Sequence, residues 1–223
     1  MTQKGQILKL FPHPVFKYQI DNQENINKEL LKYIYDLHDA DKAGVQKSNI
    51  SGWHSKSFDF SNKKNIPNKF YSQISSYIVD VFENYGWIYD TSKIKCTSMW
   101  AIINKKNNFN IEHSHSNNYL SAAYYVKAPE NCGNFKALNP SIINRNIFPK
   151  SIKGTELNSN MASIKVNEGD LLAVMDAGAY GFTMSNSGSP EGSSSVSIVT
   201  VVLVLTTPYS FVNVSSTSLI QPA

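Results

Sequence analysis

The sequence predicts an α+β chain, mainly β, with two N-terminal helices ahead of an antiparallel barrel or jelly roll. Apolar residues recur twice at helical spacing before residue 86. From about residue 94 the pattern breaks into short runs rich in β-branched and aromatic side chains. Helices first and many short strands afterwards is the order of an α+β chain whose strands close on themselves. At 223 residues with 41% apolar side chains a sizeable core can be buried, and all-β barrels of this size usually stay undivided. Residues 1–206 are therefore read as one domain, helices mainly over 23–86 and barrel over 94–206, with 207–223 as a tail.

The elements follow in order. Ile7 to Ile20 holds short apolar pieces broken by Pro12 and Pro14, which suits an edge strand because proline cannot donate to a ladder. Ile26, Leu30, Leu31, Ile34 and Leu37 form one stripe of a helix over Gln23 to His38. Asp39 to Asn65 is polar, contains GVQKSNISGWHSK, and is long enough for a loop that carries function. A second helix runs from Pro67 to Tyr85, with Gly86 to end it. Strands are expected at Lys95 to Asn104, Tyr119 to Lys127, Asn134 to Ala137, Ala162 to Val166, Asp170 to Val174 and Val196 to Leu205. Ser185 to Ser195 has the composition of a flexible linker, and Ser210 to Ala223 lacks a period.

Composition excludes several classes. The formal charge of +4 is spread over Lys- and Asn-rich stretches with no dense basic run among aromatics, so nucleic-acid binding is not expected. The longest apolar run, Val196 to Leu205, is about half of the ~20 residues that span a bilayer, and no membrane association is expected. The N-terminus lacks the apolar stretch of a signal peptide. Cys96 and Cys132 form no CxxC pair and read as reduced thiols of a cytoplasmic protein.

The chemistry centres on Asn110-Ile-Glu-His113-Ser-His115. Histidines at i and i+2 of an extended segment point to the same side, so two imidazoles can reach one divalent metal from a single strand. The motif is short and the chain has five histidines, so exposed or hydrogen-bonded histidines fit the spacing too. His54 in the long loop reads as a surface histidine, or as part of a lid. Trp53 reads as an anchor of that loop or a cap on a groove. His13 and His38, near a proline-rich edge and a helix end, carry no expected chemistry.

The run MWAIINKKNNFNIEHSHSNNYLSAAYYVKAPENCGNFKALNPS resembles the core of a family of 2-oxoglutarate/Fe(II)-dependent oxygenases of prolyl-hydroxylase-like type. A Trp-containing strand, an Asn before the HxH pair, a Ser on the next strand, Tyr-Tyr-Val, Pro-Glu and Gly occur in the family's order, and LFPHPVF and GVQKSNISGWHSK extend the likeness upstream. The resemblance implies a double-stranded β-helix (jelly roll) and a dioxygenase or hydroxylase that uses Fe(II) and 2-oxoglutarate on a small-molecule or peptide substrate. It makes His113 and His115 the near-side metal ligands, and Asn104, Tyr119 and Ser121 candidates for the cosubstrate pocket.

The likeness breaks after Leu172. The family places a distal His after its Gly-Asp-Leu-Leu strand, and on a later strand an Arg for the far carboxylate of 2-oxoglutarate. Glu168 to Leu172 keeps that strand, but no histidine follows His115 and no arginine follows Arg145. Lys150, Lys153 and Lys165 precede the strand and stand in the wrong order to replace the arginine. Asp176, which would restore a two-His-one-carboxylate set, and Tyr180, whose phenolate forms at a cost set by a pKa near ~10, are the candidate third ligands. Gly169 to Asn186 also resembles a short segment of pyridoxal-phosphate decarboxylases acting on diaminopimelate, but no cofactor-lysine motif accompanies it and that activity is not expected. Two functions follow. One is an Fe(II)/2-oxoglutarate dioxygenase, and the other is a catalytically inactive jelly-roll protein that binds a ligand or serves a structural role.

Overall fold

The structure is a computed structural model that describes residues 13–87, 89–111, 113, 115, 118–130, 132–138, 161–175, 182–185 and 197–206. Strand β1 (Val15–Gln19) leads into helix α1 (Gln23–Ala40), and two short strands follow, β2 (Asn49–Ile50) and β3 (Trp53–His54). Helix α2 (Ile66–Asn84) and a 3-10 turn at Thr91–Lys93 precede β4 (Lys95–Asn104), β5 (Phe109–Asn110), β6 (Leu120–Lys127) and β7 (Asn134–Leu138). The remaining strands are β8 (Met161–Lys165), β9 (Asp170–Met175), β10 (Phe182–Ser185) and β11 (Ile198–Thr206).

All pairings are antiparallel, in two sheets. The first runs β1-β9-β6-β11-β4-β3 and the second β2-β5-β10-β7-β8. Strand β1 lies on the edge of the first sheet, where Pro14, just ahead of it, interrupts no ladder. The helices cover one face of this sheet and the second sheet covers the other. On β6, Leu120, Ala122, Tyr124 and Val126 turn to the helices, while Ala123 and Tyr125 turn to the second sheet. Strand β11 alternates in the same way, with Val199, Val201, Leu203 and Leu205 on the helix side and Ile198 and Val202 on the other. A sheet buried on both faces explains why these strands read as unbroken apolar runs although their pairing is antiparallel.

Both helices are held by their stripes. Ile26, Leu30 and Ile34 of α1 and Phe70, Ile74, Ile78, Val81 and Phe82 of α2 are buried against the first sheet. Asn65 caps α2 by accepting from the Asn68 N–H at 3.1 Å, and Pro67 sits in the first turn, where its missing N–H costs nothing. One polar contact crosses the layer: the Tyr124 hydroxyl donates to Asn27 Oδ1 at 2.6 Å, with both residues buried. Among the described residues no helix is long and apolar enough to cross a membrane.

The expected helices and main strands lie where the sequence placed them, to within a few residues. The additions are β2, β3, β5 and β10. The first three have two residues each and cannot show a period. β2 pairs with β5, Asn49 opposite Asn110, and β3 with β4, Trp53 opposite Ile103. The Gly-Asp-Leu-Leu run gains a physical reason. Gly169, at φ 83°, turns the chain into β9 and donates its N–H to the Tyr125 carbonyl at 2.8 Å, and the Asp170 carboxylate closes the turn by accepting from the Asn167 N–H at 2.6 Å. Lys17 adds an ion pair to Asp170 at 3.0 Å. Cys96 and Cys132 are free thiols.

Candidate functional site

The two histidines of the HxH motif sit where the sheets meet, between the end of β5 and the start of β6. Their ring centroids are 4.9 Å apart. His113 is held from two sides. Its Nδ1–H donates to the Ile111 carbonyl at 2.8 Å, and the Ser48 hydroxyl lies 3.5 Å from its Nε2. His115 is hydrogen-bonded through Nδ1 to Ser121 Oγ at 2.7 Å and stands edge-on to Trp100, with centroids 5.3 Å apart.

Behind His113 a chain of side-chain amides reaches back into the first sheet. Asn104 Nδ2 donates to Asn110 Oδ1 at 3.2 Å, and Asn110 Nδ2 donates to Ser48 Oγ at 3.0 Å. All three residues are buried. Asn104 Oδ1 has no hydrogen-bond partner among the described residues and is pressed against Gly52, where any Cβ would collide with it. This links GVQKSNISGWHSK to the HxH motif physically: β2 brings Ser48 to His113, and Gly52 lets the chain pass Asn104 closely.

His54 is the residue that sequence reasoning placed wrongly. It is 7% exposed on β3, not a surface loop histidine, and it stacks on Trp100 with centroids 5.6 Å apart and planes 12° apart. Pairing of β3 with β4 carries it there. Its Nδ1–H donates to the Ser55 carbonyl at 2.6 Å, so in the neutral ring the lone pair is on Nε2. Burial pushes its pKa below the usual 6.5, and the positive charge of Lys47 and of the protonated forms of His113 and His115 adds to that, against the opposing effect of the Ser55 bond. The length of the polar loop was the one available sign of this role. Trp53 proves to be an anchor: it is 9% exposed and its Nε1–H donates to the Asp41 carbonyl at 2.8 Å.

Two hollows meet at the histidine pair, and Trp100, His113 and His115 line both. The inner one is a narrow chamber between the sheets, walled by Ile102, Ala123, Phe135 and Val202, with Asn110 and Ser121 near the histidines. The outer one is an open cleft lined also by Lys47, Ser48, His54, Ser57, Ser98 and Ile111. Of the candidates for the cosubstrate pocket, Ser121 lines the chamber. Asn104 acts one step behind it, through Asn110. Tyr119 packs on Trp87, with centroids 6.2 Å apart, and is not brought to the chamber.

The donor set for a metal is two imidazoles. Among the described residues no group of three His, Cys, Asp or Glu side chains is placed to hold an ion, whereas an iron site of the two-His-one-carboxylate kind needs a third donor. Asp176 and Tyr180, the expected third ligands, lie outside the described residues. The chamber is a poor match for 2-oxoglutarate. Its described lining carries no cation, and β11, the late strand that walls it through Val202, has neither Lys nor Arg. On β7 the inward residue is Phe135, and Lys136 alternates away from it. A dicarboxylate held at the histidines meets no cation among the described residues that line the chamber. Burying a charge whose partner has been removed costs about 3–5 kcal/mol, equivalent to about two to four powers of ten in affinity.

Comparison with known proteins agrees with the fold and the motif. Residues 98–177 match the family described as "Putative 2OG-Fe(II) oxygenase". Among curated proteins none matches the sequence. Among solved structures, a Pseudomonas putida prolyl-4-hydroxylase superposes with a TM-score of 0.59 at 7% identity, over 88% of this chain and 94% of that one. A Trichoplax adhaerens prolyl hydroxylase, solved with a hypoxia inducible factor peptide fragment, gives 0.57 at 12% identity, over 86% and 82%. HygX from Streptomyces hygroscopicus, solved with nickel and 2-oxoglutarate, gives 0.56 at 9% identity, over 86% and 82%. At such identities the likeness is one of fold. The matched segment, residues 98–177, spans the histidine pair, the Tyr-Tyr-Val strand and the Gly-Asp-Leu-Leu strand and is similar to the 2OG-Fe(II) oxygenase family, and the chain shares its fold with the prolyl hydroxylases and HygX.

Proposed function

We propose that this chain is a ligand-binding double-stranded β-helix protein that keeps the histidine pair of the oxygenases without their 2-oxoglutarate chemistry. The observation that carries the reading is the chamber behind His113 and His115, walled by Ile102, Ala123, Phe135 and Val202 where the cosubstrate's far carboxylate would need a cation. The two-imidazole donor set among the described residues supports it, as does the sequence, which has no histidine after His115 and no arginine after Arg145. The remaining order at the site, Ser48 on His113 and Ser121 on His115, then serves to fix the wall of a binding hollow.

The test is an anaerobic titration with Fe(II) and 2-oxoglutarate, followed by an aerobic assay for succinate. The expected result is no visible charge-transfer band and no succinate above the protein-free rate. A band that vanishes in a His113→Ala/His115→Ala double variant, together with succinate formation, overturns the reading and restores the dioxygenase, with its third ligand in the segment after β9.

A further inference from the structure

The two hollows at the histidine pair differ in the polar groups they offer. The chamber is hydrocarbon on its far walls. The cleft has the Lys47 ammonium, the hydroxyls of Ser48, Ser57 and Ser98, and no carboxylate among its described lining residues. Lys47 forms no ion pair among the described residues, while Lys17, Lys32, Lys42, Lys56, Lys69 and Lys93 each do. The influence of its charge on His54 places it within electrostatic reach of the cleft floor. A ligand that spans both hollows, passing the histidine pair and Trp100 that line each, meets hydrocarbon at its inner end and positive charge at its outer end.

Resting on the reading above, we infer that the ligand of this site is a short aliphatic monocarboxylate. Its branched hydrocarbon end occupies the chamber between Ile102, Ala123, Phe135 and Val202, and its carboxylate lies outside on Lys47. This polarity is the reverse of what a dicarboxylate needs, because the one charge stays in the open cleft and keeps its water. A cationic ligand is repelled by Lys47. A fully apolar one gains the chamber but offers nothing to the Lys47 ammonium beside the Ser57–Ser98 hydroxyl pair, bonded at 2.8 Å. The chamber is walled by strands of both sheets, Ile102 of β4, Ala123 of β6, Phe135 of β7 and Val202 of β11, which suits a short hydrocarbon end better than a long acyl chain.

The experiment is an NMR titration of the full chain, reading the Trp100 indole and the histidine side chains, with isovalerate, acetate, isovaleramide and glutarate as probes. Isovalerate is expected to bind most tightly, with affinity falling about fourfold for each carbon removed from the hydrocarbon end. Isovaleramide is expected to be weaker by about fivefold, the size of an exposed charge pair. Lys47→Gln removes the same factor for isovalerate and leaves isovaleramide unchanged, which a merely structural role for Lys47 would not do. Lys47 is exposed, so the variant folds. Glutarate binding more tightly than isovalerate, or isovalerate binding equally well to Lys47→Gln, overturns the inference. Absence of isovalerate binding also overturns it, and if no succinate forms from 2-oxoglutarate the broader reading stands. Succinate formation overturns both.

Discussion

Ser121 Oγ lies 2.7 Å from His115 Nδ1, and Ser121 is fully buried at the start of β6. The strand that forms the floor of the site therefore also fixes the orientation of one of its imidazoles. Replacing this serine by alanine leaves a part-buried ring nitrogen without that hydroxyl. Ser121→Ala is expected to lower stability by about 1–3 kcal/mol, measured by urea denaturation, and to move the His115 ring nitrogen resonances. A variant as stable as the parent with unmoved resonances would show that the contact holds nothing in place.

The buried histidine on β3 gives the protein a pH dependence with a definite sign. The folded-state pKa of His54 is depressed below 6.5, so on acidification the unfolded chain takes up its proton first. Its contribution is fully present above the unfolded value and is lost as pH falls from about 6.5 through the folded value. Urea denaturation between pH 7.5 and pH 5 is expected to show a shallower loss of stability for His54→Gln than for the parent. Equal slopes would mean that the ring gains its proton in the cleft without penalty.

The long strands were legible because their burial is complete and regular. LSAAYYVK and IVTVVLVLT are apolar on both faces, and both faces are covered, one by helices and one by the second sheet. The helices were legible from stripes such as Ile26, Leu30 and Ile34. What failed was local in sequence but not in space. His54 looks like a loop residue because its environment comes from Trp100, which lies far along the chain and reaches it through a two-residue ladder. Lys47 and Ser48 were hidden for the same reason. Tyr119 and Ser121 are two residues apart and read as equals. Yet Ser121 is within the ladder and faces the chamber, while Tyr119 precedes the strand and turns to Trp87.

The thiols are expected to be inert in the folded protein. Burial pushes the Cys96 thiol up to about 12 and raises that of Cys132 as well. At pH 8 the reactive thiolate of Cys96 is then about one part in ten thousand. Iodoacetamide at pH 8 is expected to leave Cys96 unlabelled in the folded chain and to label it, with Cys132, in urea. Rapid labelling without denaturant would place Cys96 in a more open environment than the strand it occupies.

Two glycines separate conformational strain from crowding. Gly86 (φ 65°) ends α2 in open space, with no atom of a described residue beyond its chain neighbours within 4 Å of where a Cβ would stand. Gly169 (φ 83°) has a similarly left-handed backbone, but a Cβ there would run into the side chains of Gln19 and Gln23. Gln19 is not free to yield, because its Nε2–H donates to the Glu168 carbonyl at 2.9 Å and its backbone is opposite Asp170 in the β1–β9 ladder. Alanine at either position is expected to lose about 1–2 kcal/mol to the left-handed backbone. Gly169→Ala is expected to lose about 1–3 kcal/mol more from overpacking. Denaturation of the two variants measures that difference directly. Equal losses would mean that β1 shifts away from the turn without cost, and that the glycine of the Gly-Asp-Leu-Leu run is required for its φ angle alone.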